Sequence, residues 1–213
     1  VCRIAACNGS TRNDMEKGWA RLSRPFNRLF HSLHRNTRKG SRHNIAAHYD
    51  LGNDFFRLFL DDTLMYSSGV FPHQGATLAE ASLHKIERVC QKLDLQESDH
   101  LLEIGTGWGG FALHAATHYG CRITSTTISR QQYDLARQRV KDAGLSDRIE
   151  IVLEDYRDLK GQYDKLVSIE MIEAVGHHYY DAYFSACGAL LKPDGLMLLQ
   201  AITISDWVFE SHT

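Results

Sequence analysis

Apolar positions in this chain follow two different periods. Over residues 77–95, Leu78, Ala81, Ile86, Val89, Cys90 and Leu93 recur at helical spacing, and Thr77 with Glu80 forms a capping box at the start. Beyond residue 98, short apolar runs alternate with helical stretches. The pattern predicts strands over 100–104, 121–126, 148–153 and 163–169, and a last one over 195–203 after the turn Lys192-Pro193-Asp194-Gly195. Between them it predicts helices over 109–119, 130–143 (ended by Gly144) and 178–191. Strands alternating with helices across short turns make an α/β protein with a doubly wound parallel sheet.

The upstream part has another character. Residues 1–18 show no period, whereas Leu22, Phe26, Leu29, Phe30 and Leu33 repeat at helical spacing near Trp19 and Pro25. Asn36 to Ser41 reads as a polar linker. Residues 43–60 read as two short helices broken near Leu51-Gly52, the second strongly apolar, and Tyr66-Ser67-Ser68-Gly69 as a loop. The expected organisation is a basic, partly amphipathic arm (1–42), a helical cap on the substrate side (43–98), an α/β core (99–204) and a tail (205–213).

Charge sharpens the picture of the arm. Residues 1–43 carry ten Lys and Arg against Asp14 and Glu16, so the body is correspondingly acidic in a chain of net charge −2. A basic amphipathic helix fits an anionic membrane surface better than a nucleic-acid groove, and equally fits a helix packed on the body. The five cysteines (Cys2, Cys7, Cys90, Cys121, Cys187) are odd in number and dispersed, which points to reduced thiols and a cytoplasmic setting instead of a disulfide framework. No apolar run is long enough to span a membrane. His177-His178 are adjacent and no Cys–His ligand set appears, so no metal site is expected.

Candidate chemistry centres on Leu101-Leu102-Glu103-Ile104-Gly105-Thr106-Gly107-Trp108-Gly109-Gly110, an apolar run feeding a glycine turn and then a helix. Such a turn lets a ligand approach the backbone and offers it free N–H groups. Gly105, Gly107 and Gly110 satisfy the dinucleotide pattern G-x-G-x-x-G. However, the region about 20 residues on reads Thr124-Ser125-Thr126-Thr127, without the acid a dinucleotide ribose requires. Glu103 instead supplies a carboxylate suited to a positively charged ligand such as S-adenosylmethionine (SAM).

Six segments carry a more specific resemblance. They are His48-Tyr49-Asp50-Leu51-Gly52-Asn53, Tyr66-Ser67-Ser68, the glycine turn with Glu103, Thr127-Ile128-Ser129 with Gln132, Asp155-Tyr156-Arg157-Asp158-Leu159, and Glu173-Ala174-Val175-Gly176. In order and spacing they resemble the cyclopropane-fatty-acyl-phospholipid synthase family of SAM-dependent methyltransferases, over roughly residues 36–204. The resemblance implies a class I SAM-dependent methyltransferase fold with an N-terminal helical extension. It also implies that Tyr66 and Ser67 close over the methionine end of SAM, with Gly105 and Gly107 against it. Thr127, Ile128 and Gln132 would line the ribose, and Asp155, Tyr156 and Arg157 the adenine. Read locally, Gln132 is equally a capping partner for Ser129, and 155–157 a polar turn.

The family's acceptor is a cis double bond in a phospholipid acyl chain. Methyl transfer to it leaves a carbocation, which must be stabilised and then lose a proton to a base. In the family that base is a bound bicarbonate. The matching positions here are Ser68, Glu173, Gln200 and the backbone of Ile202, with Glu173 and Gln200 expected to face one pocket; as a local feature, Glu173 reads as a helix-cap residue. The described cradle has cysteine at Ser68, histidine at Gln200 and often histidine at Ala174. These differences leave a ring, a methyl branch or a methylene branch open as products.

The family also continues with two further strands, where this chain ends in Asp206-Trp207-Val208-Phe209-Glu210-Ser211-His212-Thr213. The expectation is therefore a sheet truncated before those strands, with poor stability or activity for the chain alone. The implied partners are an unsaturated phospholipid and the anionic inner face of the membrane, not nucleic acid, with a homodimer left open. Competing readings are a small-molecule N- or O-methyltransferase, since plant alkaloid N-methyltransferases share these motifs, and a non-catalytic SAM- or lipid-binding fragment.

Overall fold

The structure, a computed structural model, describes residues 52–205, all within a compact unit spanning Ile45–Thr213. The basic arm, the segment His48 to Leu51 and the tail beyond residue 205 lie outside the described residues.

Five strands form one parallel sheet: β1 (His100–Ile104), β2 (Arg122–Thr127), β3 (Ile149–Leu153), β4 (Tyr163–Ile169) and β5 (Leu191–Gln200), in spatial order β3-β2-β1-β4-β5. The helices are α1 (Asn53–Arg57), α2 (Leu78–Leu93), α3 (Gly110–Tyr119), α4 (Arg130–Asp142) and α5 (Tyr180–Leu190). Strand order reverses between β1 and β4. Neighbouring residues on a strand point to opposite faces, and the core divides accordingly. Leu101 and Val167 pack with α2, α3 and α4, while Leu102 and Leu166 pack with α5 through Tyr183, Cys187 and Leu190. The doubly wound sheet expected from the alternation is thus present, and its reversal places a crevice at the carboxyl ends of β1 and β4.

Helix α2 starts with the expected capping box. Glu80 N donates to Thr77 Oγ1 (3.2 Å), and Thr77 N donates to the Glu80 carboxylate (2.7 Å). Its buried face runs from Ala81 through Ile86, Val89, Cys90 and Leu93, but it also includes Ser82 and Lys85, while Leu78 stays exposed. Cys90, Cys121 and Cys187 are buried free thiols. No described helix is long and apolar enough to cross a membrane.

The largest departure from the sequence pattern is β5. It begins at Leu191 and ends at Gln200, so the turn Lys192 to Gly195 lies inside the strand as a bulge: Tyr163 pairs with Leu191, yet Lys165 pairs with Leu196. The cause is local. Lys192 Nζ reaches Asp164 Oδ1 at 2.6 Å, and Asp164 Oδ2 also accepts from His100 N at 2.9 Å, which ties the protruding residues to the neighbouring strands. At Gly195 a Cβ would meet Leu191 Cδ2 at 2.9 Å and Lys192 O at 3.0 Å, so a glycine is required where the bulge closes. Residues 201–205 have no regular structure and are exposed.

Candidate active site

The glycine turn leaves β1 at Gly105 and enters α3 at Gly110. Gly105 (φ +104°), Gly107 (φ +52°) and Gly109 (φ +83°) all hold positive φ. A Cβ on Gly107 would find nothing within 4 Å, which leaves open space above the turn for a ligand. A Cβ on Gly110, by contrast, would lie 2.3 Å from Thr63 O; that glycine lets the loop before α2 lie against the turn. Arg139 fixes the same junction from α4 by donating to Thr63 O (3.2 Å), Trp108 O (2.7 Å) and Asp62 O (2.8 Å). Trp108 itself is buried, donates to Asn53 Oδ1 at 2.7 Å and packs its ring 4.7 Å from that of Phe56.

Glu103 is buried at the end of β1 beside its partner in register, Ser125 of β2. Ser125 Oγ lies 2.5 Å from Glu103 Oε2 and 2.7 Å from Thr106 Oγ1. A hydroxyl carries one proton, so Ser125 donates to the carboxylate and accepts from Thr106. Burial pushes the Glu103 carboxyl up to about 8, against the pull of the Ser125 hydrogen bond.

At the end of β2, Thr127 donates to Gln132 Oε1 (2.8 Å) and accepts from Ser129 N (3.1 Å). Ser129 caps α4 by accepting from Gln132 N (3.3 Å). The cap therefore uses the Gln132 backbone, while the Gln132 side-chain amide is held by Thr127 and does not return to Ser129 to complete a capping box. Ile128 beside them is half-buried. Asp155 is buried and clamped by Arg157, whose N, Nε and NH2 lie 3.0, 2.8 and 2.6 Å from its carboxylate oxygens. Tyr156 turns to pack edge-on against Tyr183 at 5.4 Å.

Tyr66 is half exposed, its ring 5.2 Å from Phe56 and 6.4 Å from Phe59. Ser67 Oγ accepts from Lys85 Nζ. Lys85 is 1% exposed, and burial pulls its ammonium down to about 8 although Glu170 and Asp61 hold it up.

The residues expected to form one cradle separate into two groups. Ser68 and Gln200 converge on Glu170, not on Glu173. Glu170 Oε1 accepts from Ser68 Oγ (2.6 Å), Ser68 N (3.0 Å) and Gln200 Nε2 (2.8 Å). Gln200 Nε2 lies 3.2 Å from Ser68 Oγ as well, and Glu170 N donates to Gln200 O at 2.8 Å. Glu173 sits exposed on the one-turn 3-10 helix Ile172–Ala174, caps no helix, and accepts from Ile202 N at 2.5 Å. The donors that bicarbonate would use are thus engaged by side-chain carboxylates.

Glu170 and Lys85 escaped the sequence reading. Lys85 had a signal, since it falls on the buried stripe of α2. Glu170 had none beyond standing next to a strand end.

Comparisons with known proteins supply the family. Residues 36–212 match the family described as mycolic acid cyclopropane synthetase. The chain belongs to that family. It is 48% identical over 175 residues to tuberculostearic acid methyltransferase UfaA1 of Mycobacterium tuberculosis, covering 79% of this chain and 41% of that protein. It is 41% identical over 155 residues to the cyclopropane-fatty-acyl-phospholipid synthase of Escherichia coli K12, covering 73% of this chain and 39% of that protein. The mycolic acid cyclopropane synthase CmaA1 complexed with SAH and CTAB superposes with a TM-score of 0.71 at 39% identity, over 74% of this chain and 55% of that one. The family member thus spans about two fifths of the length of the two curated relatives named. Its fold is that of the class I SAM-dependent methyltransferases.

Proposed function

We propose that the protein transfers the methyl group of SAM to a cis double bond of a phospholipid acyl chain, giving a cyclopropane or a methyl- or methylene-branched chain. One observation carries the reading. The open glycine turn after β1 and the Ser68–Glu170–Gln200 carboxylate cluster after β4 and β5 stand at the same carboxyl edge of the sheet, on the two sides of its reversal. An alkene is a poor nucleophile, so the two halves of the site must hold it in line and dry.

The residues present fit SAM. Open space over Gly107, the buried Glu103 acid and the polar ends of β2 and β3 make a cradle with room for a ligand and a charge to match its cation. SAM, when bound, supplies an electrophilic methyl. Gly105 and Gly107 admit the ligand to the backbone, Tyr66 and Ser67 border its methionine end, and Thr127, Ile128, Gln132, Asp155, Tyr156 and Arg157 border its nucleoside. The exposed rings of Phe55, Phe59 and Tyr66 offer apolar surface to an acyl chain, and their faces can stabilise developing positive charge. The basic arm supports peripheral contact with the anionic cytoplasmic face of a membrane.

The test is incubation of the full-length protein with methyl-labelled SAM and either monounsaturated phospholipid vesicles or soluble amines. Label in the acyl chains is the expected result. Label only in the amines would overturn the reading in favour of a small-molecule methyltransferase.

A further inference from the structure

The resemblance implies a bicarbonate base held by Ser68, Gln200 and neighbouring groups. We infer that this chain fills that cradle with the carboxylate of its own Glu170, which accepts the proton released after methyl transfer. For the reaction itself the inference rests on the function proposed above; for the occupancy of the cradle it does not.

Three donors meet at a single oxygen. Ser68 N, Ser68 Oγ and Gln200 Nε2 all address Glu170 Oε1, at 3.0, 2.6 and 2.8 Å. Among the described residues every hydrogen bond to this carboxylate falls on Oε1, which leaves Oε2 to receive a proton. A second anion would have to take these same donors while standing against an existing negative charge. Like charges at such range cannot both remain ionised cheaply.

The backbone argues in the same direction. Glu170 has φ +48°, a left-handed conformation that a side chain of this size adopts only under strain. The strain is held by its N–H on Gln200 O and by the three donors on its carboxylate. Its effect is to turn the side chain away from the path of β4 and into the cradle between β5 and the Ser67-Ser68 loop. Lys85, buried beneath that loop, contributes positive charge toward Glu170.

The chemistry balances. When the methyl carbon bonds to one alkene carbon, the sulfonium becomes a neutral thioether and the other alkene carbon becomes cationic. Glu170 Oε2 takes a proton from the added methyl, and the C–H electron pair closes the new C–C bond of a ring. If the proton leaves an adjacent chain carbon, the pair forms a double bond. Glu170, now a carboxylic acid, returns the proton to solvent.

The test compares the full-length wild type with Glu170→Gly and Glu170→Gln. Glycine accepts the backbone angle, and unchanged SAH affinity would show that the fold survives. Wild-type turnover should be the same, within about twofold, in bicarbonate-depleted and bicarbonate-supplemented buffer. Glu170→Gly should lose roughly a hundredfold or more, and added formate or bicarbonate should restore a substantial part of it. Glu170→Gln, its amide still filling the cradle, should not be rescued. A readout free of turnover is carbon NMR of 13C-formate and 13C-bicarbonate: both should bind Glu170→Gly and neither the wild type. Binding of bicarbonate to the wild type, loss of its turnover on bicarbonate removal, or full activity of Glu170→Gly would overturn the inference. If the wild type methylates no alkene, the functional proposal fails, while the NMR result still decides who occupies the cradle.

Discussion

Ser68 Oγ donates to Glu170 Oε1 at 2.6 Å across 102 residues of sequence, joining the loop before α2 to the end of β4. Burial raises the Glu170 carboxyl, but Ser68 Oγ, Ser68 N, Gln200 and the charge of Lys85 outweigh it, so the group lies below the ordinary glutamate range. A base must be deprotonated to act. Ser68→Ala removes the largest of the lowering interactions, so the acid limb of the pH–rate profile should move to higher pH while the alkaline limb stays. The measurement is kcat against pH for the two proteins. An unshifted acid limb would separate Ser68 from the base.

Lys85 donates to Ser67 Oγ and lends positive charge to Glu170, which makes it a positioning residue for the base inferred above. Its folded value of about 8 lies below the ordinary lysine value of 10.5. The folded state thus holds fewer protons than the unfolded state between those values, and stability from this group rises with pH across that window. Lys85→Met should abolish that slope and also cost stability, because removing one partner leaves the charges of Glu170 and Asp61 that faced it uncompensated. It should lower kcat roughly tenfold or more and raise the pH of the acid limb. Thermal melts at graded pH, set beside the pH–rate profile, check both halves.

Glu103 predicts proton linkage to cofactor binding. The carboxyl sits at about 8 in the free protein, so at neutral pH it is mostly protonated. A bound cation favours the ionised form, and binding at pH 7 should release up to about one proton. Affinity for SAM should rise with pH and level off above about 8. Calorimetric titrations in buffers of different ionisation enthalpy measure the release directly. Glu103→Gln should show none, and equal release in both proteins would remove Glu103 from the cation site.

Gly110→Ala tests the close approach that positions the glycine turn. Its Cβ would fall 2.3 Å from a backbone oxygen, Thr63 O, which no side-chain rotation relieves. Overpacking of this kind costs about 1–3 kcal/mol. The melting temperature should fall by several degrees, about 2–4 °C per kcal/mol for a domain of this size. Gly188→Ala, at another helical glycine without positive φ but with open space where its Cβ would stand, serves as the control.

Most of the sheet was legible because its strands are apolar runs bounded by turns, and β1 to β4 follow that pattern closely. The capping box of α2 was equally legible, since Thr77 and Glu80 need only local geometry. The start of β5 was not: the pair Lys192–Asp164 bridges 28 residues and turns an apparent loop into a bulge. Near the strand ends, the glycine turn was legible from the spacing of Gly105, Gly107 and Gly109, whereas the meeting of Ser68 and Gln200 at Glu170 joins distant segments. Between two carboxylates three residues apart, the resemblance pointed to Glu173. Glu170 holds a left-handed backbone angle, and such an angle at a non-glycine residue leaves no mark in composition or period.

Methyl transfer to an acyl double bond is measured most directly with SAM carrying a fully deuterated methyl. After incubation with monounsaturated phospholipid, fragmentation mass spectrometry of the acyl chains should find the added carbon bonded to one or both of the former alkene carbons. That carbon should have lost one deuterium if Glu170 takes the proton from the transferred methyl, and none if the proton leaves the chain. Acyl chains free of deuterium, with SAM bound by the same preparation, would contradict the account.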